Sequence, residues 1–407
     1  MPPSRALDAA RALFMLAALG AVSSPPVANI AAALGLVALA LSAGIAARLR
    51  LALAQPMVRG VLALLGVLAV ATLWADGVPW ARRFAEWWSW RALILLVAAF
   101  LAFDERRWRR RFCATLVVAL ALAALASFGM LLTPNPTIID EPGVILRNHT
   151  TQGMAMVGGF VLAGALLLEP GAPRGRRALL LAAMALFVAN IAHIADGRSG
   201  YLALLVAAGT GAFAYAGGRR RWLALVAVVL LGAVALASSG TVRHRLSVAV
   251  QEFQTAKTSP VETSMGLRVV IWETTARLLE RHPVLGYGVG GFAPAYAQEI
   301  HQHYTGWQAA EAKDTHNQYL RVWVEAGIPG LLALLVFIAG VLRQRGGQPF
   351  AAAGHALFVA WLATSLFNSH LQTFAESHLL AVLVGALLAG PLHAAASASP
   401  TAAATAA

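Results

Sequence analysis

Ser264-Met265-Gly266-Leu267-Arg268, Arg281-His282-Pro283-Val284-Leu285-Gly286-Tyr287-Gly288 and Asp314-Thr315-His316-Asn317-Gln318-Tyr319 punctuate one stretch, Ser239 to Gln318. It is the only long segment of the chain that is not membrane-apolar. Nearly everything else alternates between apolar runs and short Arg-rich loops. Membrane helices are therefore expected to hold this segment at one face of a bilayer, with the chemistry there. The fold class that follows is all-α: a polytopic integral membrane protein with one large outer loop containing amphipathic helices.

Composition supports that class. Of 407 residues, 59% are hydrophobic and 12% charged, and the mean hydropathy is +0.69. Soluble domains carry about 25% charged residues. The formal net charge of +13 invites a nucleic-acid reading, but the arginines sit in short loops between apolar runs. That is the positive-inside pattern, and no nucleic-acid partner is expected. Cys113 is the sole cysteine, which excludes an intramolecular disulfide. No small-residue cleavage site follows Leu7–Val22, so that run reads as a retained first helix.

A spanning helix needs about 20 apolar residues. About twelve runs qualify, centred near Leu16, Leu36, Leu65, Leu96, Leu120, Val161, Met184, Leu205, Val228, Leu334, Val359 and Leu383. Arg48, Arg50 and Arg59, the run Arg106 to Arg111, Arg174 to Arg177, Arg219 to Arg221, and Arg343 with Arg345 all fall in loops on one side. That side is expected to be cytoplasmic, with both termini. The organisation predicted is helices one to nine over 1–238, a catalytic outer loop over 239–318, helices ten to twelve over 319–393, and a disordered tail over 394–407. Trp74, Trp80, Trp87, Trp88 and Trp90 read as an interfacial belt.

Within the outer segment, Leu267, Val270, Ile271 and Leu278 share one face at helical spacing. Pro283 and the glycines after it stop that helix. Four residues outside the apolar runs invite chemistry. Arg198, in Asp196-Gly197-Arg198-Ser199-Gly200, has almost no loop to spare, so it faces a cavity or snorkels to headgroups. Arg147 precedes Asn148-His149-Thr150-Thr151, which either presents donors to an anion or simply caps the next helix. Arg268 lies at a helix start that favours anions, unless it is an ordinary solvated charge. His316 is placed to accept a proton near neutral pH, or is a helix-start histidine facing water. Asp314 orients it only if the backbone there is not regular helix. Gly286-Tyr287-Gly288-Val289-Gly290-Gly291 satisfies G-x-G-x-x-G but lacks the strand that a dinucleotide site requires. His301, His303 and Glu299 lack metal-ligand spacing. No metal and no cofactor are expected.

Together these motifs resemble the O-antigen ligase family, within its wider ligase/polymerase superfamily. The resemblance lies in Arg147-Asn148-His149, in Gly197-Arg198-Ser199-Gly200, and in the run from Arg268 through Trp272 to His282-Pro283 and Gly286-Tyr287-Gly288. It is most specific in Asp314-Thr315-His316-Asn317-Gln318-Tyr319-Leu320 followed by Glu325-Ala326-Gly327-Ile328-Pro329-Gly330. It implies a GT-C-like membrane enzyme of the Gram-negative inner membrane with a periplasmic catalytic loop. Such an enzyme moves polysaccharide from undecaprenyl diphosphate to a sugar hydroxyl of lipid A–core, by metal-independent, inverting glycosyl transfer. Under that resemblance Arg147, Arg198 and Arg268 hold the diphosphate, and His316 serves as base or orients the acceptor. Asn148, His149, Trp272 and Asn317 would support them. A polymerase or a protein O-oligosaccharyltransferase of the same superfamily shares the donor; the absence of a soluble domain after the last span leans towards the ligase. A solute transporter is the reading from another class. The enzyme reading requires Arg198, Arg268 and His316 to meet over a shared cavity on the outer face.

Overall fold

The structure is a computed structural model; it describes residues 5–133, 141–195, 197–238, 240–256, 259 and 261–390. Asp196 and the tail from Ala394 lie outside them. All regular structure among the described residues is helical. In chain order the helices are α1 (Arg5–Ser23), α2 (Pro25–Ala40), α3 (Ile45–Leu53), α4 (Pro56–Val70), α5 (Trp80–Trp88), α6 (Ala92–Ala102), α7 (Arg106–Met130), α8 (His149–Leu167) and α9 (Arg174–His193). There follow α10 (Arg198–Tyr215), α11 (Arg220–Ser238), α12 (Gly240–Gln254), α13 (Ser264–Arg281), α14 (Phe292–His303), α15 (Gln318–Arg343), α16 (Phe350–Thr364) and α17 (Phe374–Leu388).

Each of the twelve apolar centres falls within a helix. Six helical segments among the described residues are long and apolar enough to cross a membrane; the pair α2 and α3, bent by 103°, makes a seventh if counted as one span. Helices α4, α16 and α17 are apolar but shorter. Length separates these classes, since at 1.5 Å per residue a helix of fifteen residues, such as α17, falls short of a hydrocarbon core of about 30 Å.

Helices α8 and α17 form the centre. Every residue of α17 from Ala375 to Leu388 is buried, as is most of α8. Around them, α17 packs on α6, α1 and α16, α8 on α7, α9 and α10, and α15 lies along α4. One polar knot crosses this apolar interior. The Gln152 amide donates to Ser127 Oγ at 3.0 Å and to Asn190 Oδ1 at 3.1 Å, while Asn190 Nδ2 donates to Ser127 Oγ at 2.9 Å. Gln152 Oε1 in turn accepts from the backbone N–H groups of Ile145 and Leu146. Every polar group of the knot is satisfied, as a dry interior demands. It ties the loop before α8 to the end of α9, so the segments carrying Arg147 and Arg198 are held from below.

The arginines predicted for one set of loops are more ordered than loop charges. Arg11 is fully buried and bonds to Asp8, Asp104 and Glu105. Arg48, on α3, pairs with Asp104 at 2.9 Å, and Arg106 with Glu169 at 2.7 Å. Arg109 is buried and donates to the Ala389 carbonyl. The tryptophan belt is likewise partial. Trp80 and Trp88 are exposed, but Trp90 is fully buried, and Trp74 and Trp87 donate to the carbonyls of Leu285 and Leu65.

The outer segment folds as three helices where the periodicity marks one. Thr263 caps α13 by accepting from Gly266 N–H at 3.0 Å. The predicted apolar face is real: Val270, Ile271 and Leu278 are buried against Phe292, Tyr296 and Ile300 of α14. The glycine run is a tight turn, with Gly286, Gly288 and Gly290 all at positive φ. A Cβ on Gly288 would lie 2.6 Å from Ala75 N, so the turn exists to press the outer segment onto the end of α4.

Candidate functional site

The site assembles around Arg268, on the first turns of α13. Its Nε donates to the Phe367 carbonyl at 3.1 Å, and a terminal nitrogen donates to Ser264 O and Oγ. This places α13 against the turn after α16. Burial, and then the like charge of Arg198, pull the Arg268 pKa below its ordinary value; Glu252 and Asp314 oppose them. Arg268 thus lies within electrostatic reach of Arg198 across the outer segment. A guanidinium remains cationic at neutral pH regardless.

Arg198 is the first residue of α10. Both of its terminal nitrogens lie 3.1 Å from Glu252 Oε2 on α12, and the side chain is about one-third exposed. It is neither free nor snorkelling: it is half-sheltered and engaged with a carboxylate. Glu252 is one of the residues that the sequence reading misses, because its partner is 54 positions away.

His316 sits in the gap between the outer segment and α15. Its φ is 48°, so the backbone is not helical there, and its Nδ1 is 3.9 Å from Asp314 Oδ2. The loop is fastened on both sides. Trp272 Nε1 donates to the Thr315 carbonyl at 3.0 Å. Asn317 caps α15, accepting from Tyr319 and Leu320 N–H, and its amide donates to the Leu366 carbonyl. Burial lowers the His316 pKa from 6.5, and Arg268 lowers it further against the opposing pull of Asp314. The imidazole is therefore neutral at pH 7 and able to take a proton.

Arg147 and His316 are the two non-glycine residues at positive φ among the described residues, both at 48°. Such strain persists only where its surroundings enforce it. Arg147 nevertheless stands apart from the other two arginines. It lies over the Phe374 ring, 5.9 Å from the centroid, and within electrostatic reach of Glu376 on α17. No contact among the described residues joins it to Arg198 or Arg268. Asn148 is a helix cap that accepts from Thr151 N–H at 2.8 Å, and His149 bonds Glu141 at 2.8 Å. The His149 ring does lie beside Gly197, where an added Cβ would meet it at 3.0 Å. The Arg147 loop and the Arg198 turn therefore touch through His149.

A polar cavity of about 220 Å³ beside the His316 loop is lined by Asp314 and Arg321 among others. Arg321 and Glu325 were passed over because they sit inside an apolar run. They are an i,i+4 pair at 2.8 Å, and Arg321 also holds Glu86 at 3.0 Å. Ionisable residues within a span are a functional signal in themselves, and that signal was present. His370 is buried beside them, its pKa pushed down to about 4 by burial. Arg281 and His303 both engage Glu299. Among the described residues, no group of three or more His, Cys, Asp or Glu is placed to hold a metal ion.

The loops carrying these residues all gather at one end of the bundle. The α5 region, the Arg147 loop, the Arg198 turn, the outer segment and the α16–α17 turn are joined there by Arg321–Glu86, Thr151–Glu376, Arg198–Glu252 and Arg268–Phe367 bonds. An uncharacterised protein of Haemophilus influenzae is 25% identical over 150 residues, 36% of this chain and 38% of its own length. The chain thus spans well under half of that relative. The O-antigen ligase family profile matches residues 182–335, a range that contains Arg198, Arg268 and His316 but not Arg147. Residues 182–335 of this membrane protein are thus similar to the O-antigen ligase family, and its central charged residues lie within the matched range.

Proposed function

We propose that the protein is an O-antigen ligase. It would transfer a glycan from undecaprenyl diphosphate to a sugar hydroxyl of lipid A–core, at the outer end of about twelve spans in a Gram-negative inner membrane, with both termini cytoplasmic. The observation that carries this reading is the clustering of Arg198, Arg268 and His316 at the end of the bundle where the outer loops gather. A lipid-linked diphosphate presents its charge at headgroup depth, where two guanidinium groups can take its oxygens bidentately.

In the step proposed, an acceptor hydroxyl oxygen attacks the anomeric carbon of the donor sugar from the face opposite the diphosphate. The new C–O bond forms as the bond to the diphosphate oxygen breaks, and that oxygen leaves with the electron pair. Arg198 and Arg268 stabilise the charge that develops on it. The hydroxyl proton passes to neutral His316. Attack from the opposite face inverts the anomeric configuration. Arg147, off to one side over Phe374, attracts the donor without touching the breaking bond. Trp272 and Asn317 act by holding the His316 loop, Asn148 by capping α8, and His149 by bridging to the Arg198 turn.

Two measurements follow from the site. Because His316 must be neutral, activity should fall as pH drops through its pKa. Burial and Arg268 hold that value below 6.5, so the acid limb of kcat/KM should lie below pH 6.5. A limb unchanged in His316→Asn would assign it to another group. Glu252 is paired with Arg198, and an incoming diphosphate would compete with it. Glu252→Gln should therefore tighten donor binding, by about tenfold if one charge-assisted contact no longer has to be displaced. An unchanged Kd would show that Glu252 and the diphosphate do not compete.

The reading as a whole is tested by deletion and complementation. Loss of the lipopolysaccharide ladder, with lipid-linked polymer accumulating, is expected. Loss of long chains with single units still attached would make the protein a polymerase instead.

A further inference from the structure

We infer that the cavity between α5, α15 and the α16–α17 turn is a subsite for one sugar ring of the acceptor, presented to His316. It is formed by Glu86, Ser89, Asp314, Arg321, Ser369 and Gln372 among others, and measures about 220 Å³. That is below the range of about 300–1,000 Å³ usual for drug-sized ligands. The walls come from three separate parts of the chain, α5, the start of α15 with the loop before it, and the α16–α17 turn, so the cavity is a product of the tertiary fold.

Its chemistry is unusual for a membrane protein. Among the described residues, Ser369 Oγ, Arg321 Nε and Asp314 Oδ1 are buried without a hydrogen-bond partner. Ser369 is 3% exposed and Arg321 4%. Buried polar groups are ordinarily satisfied, so three orphans lining one hollow mark where a polar ligand belongs. They include a donor, an acceptor and a hydroxyl that is both. A sugar ring offers the same mixture, since each hydroxyl donates once and accepts twice.

Other ligand classes fit less well. A phosphate would meet the Glu86 and Asp314 carboxylates, and the one buried cation, Arg321, is already bound to Glu86, Glu325 and the Lys313 carbonyl. A divalent cation would meet Lys313 and Arg321 in the same wall. Apolar ligands would strand the orphaned groups. The rigidity of Arg321 serves a ring well: three fixed bonds leave its Nε aimed in one direction.

Asp314 links this cavity to the chemistry. It lines the hollow and is also the carboxylate facing His316 at 3.9 Å. Arg198 and Arg268, where the donor diphosphate is proposed to bind, do not line the cavity, so a ring there reaches His316 by way of Asp314. That geometry suits the nucleophile rather than the leaving group. The assignment to acceptor rests on the transferase reading given above; the sugar-binding character of the cavity does not.

The test uses the full chain in lipid nanodiscs, with an undecaprenyl diphosphate-linked glycan as donor and lipid A–core as acceptor. Gln372→Leu puts an apolar group into the wall, and Ser369→Ala removes one orphaned hydroxyl. Gln372→Leu should raise the acceptor KM about tenfold while donor KM stays put, and Ser369→Ala should raise it less. A rise in donor KM alone would overturn the acceptor assignment and give the ring to the donor. Unchanged KM values in both variants, with the wild type active, would overturn the subsite. If the wild type transfers nothing, the ligase reading is what fails. The cavity is then read separately by saturation-transfer NMR with delipidated core oligosaccharide. Binding that is lost in Gln372→Leu supports the subsite, and binding absent from the wild type or equal in both proteins overturns it.

Discussion

Replacing His316 by alanine should lower glycan transfer by about 10²–10⁴-fold, the usual worth of a positioned general base, with little change in membrane abundance. The side chain is 38% exposed, and the loop is fastened by its neighbours Thr315 and Asn317, so the fold does not depend on it. His316→Asn sharpens the result. Asparagine tolerates positive φ and retains a hydrogen-bonding group, but it cannot take up the proton. If His316 is a base, asparagine should be as poor as alanine; if it only orients the acceptor, asparagine should recover much of the rate. Arg268→Ala should cost about 2.7–4 kcal/mol of transition-state stabilisation. Arg268→Lys should recover little, because an ammonium lacks the planar fork that lets Nε hold the Phe367 carbonyl while terminal nitrogens face the diphosphate. Near-full ligation by both alanine variants in cells, with protein levels preserved, would remove the mechanism.

Gly327→Ala should be the most disruptive single methyl in the chain. Gly327 interrupts α15 with φ 61° and ψ −153°, a conformation that is essentially glycine-only. A Cβ there would fall 1.9 Å from the Val284 carbonyl oxygen, inside the turn that anchors the outer segment. Backbone strain of about 1–3 kcal/mol and a forced shift of about 1–3 kcal/mol together make about 2–6 kcal/mol, a large part of the stability of a typical domain, about 5–15 kcal/mol. The expected result is near-absence of folded protein in the membrane, with a depressed Tm for whatever survives. Gly66→Ala is the control. It lies within α4 with nothing inside 4 Å of the added methyl, and it should be neutral or stabilising by up to about 1 kcal/mol. Equal Tm values for the two variants would mean that the break in α15 is dispensable.

What could be read from the residues alone follows from the range of the physics involved. Helical periodicity is local, so the buried face of α13, the cap at Asn148 and the apolar centres were legible. Arg198, Arg268 and His316 stood out because each is an ionisable group where an apolar chain has no other use for one. Their partners were not legible. Glu252 meets Arg198 across 54 positions, and Glu86 meets Arg321 across 235; nothing in either neighbourhood announces the other. The contacts of Arg147 were illegible for the same reason, since Phe374 and Glu376 come from the far end of the chain. The fate of the loop arginines was not legible either: Arg48 and Arg109 are internal struts.

The bond between Arg198 and Glu252 has a bearing on how a lipid enters. Because the cation already has a counter-charge, an anionic donor of the kind proposed would arrive by exchange, one anion replacing another. Displacing Glu252 would remove a bond between α12 and α10. Occupancy of the proposed site would then be coupled to the looseness of α12, making that ion pair a latch for the substrate to lift.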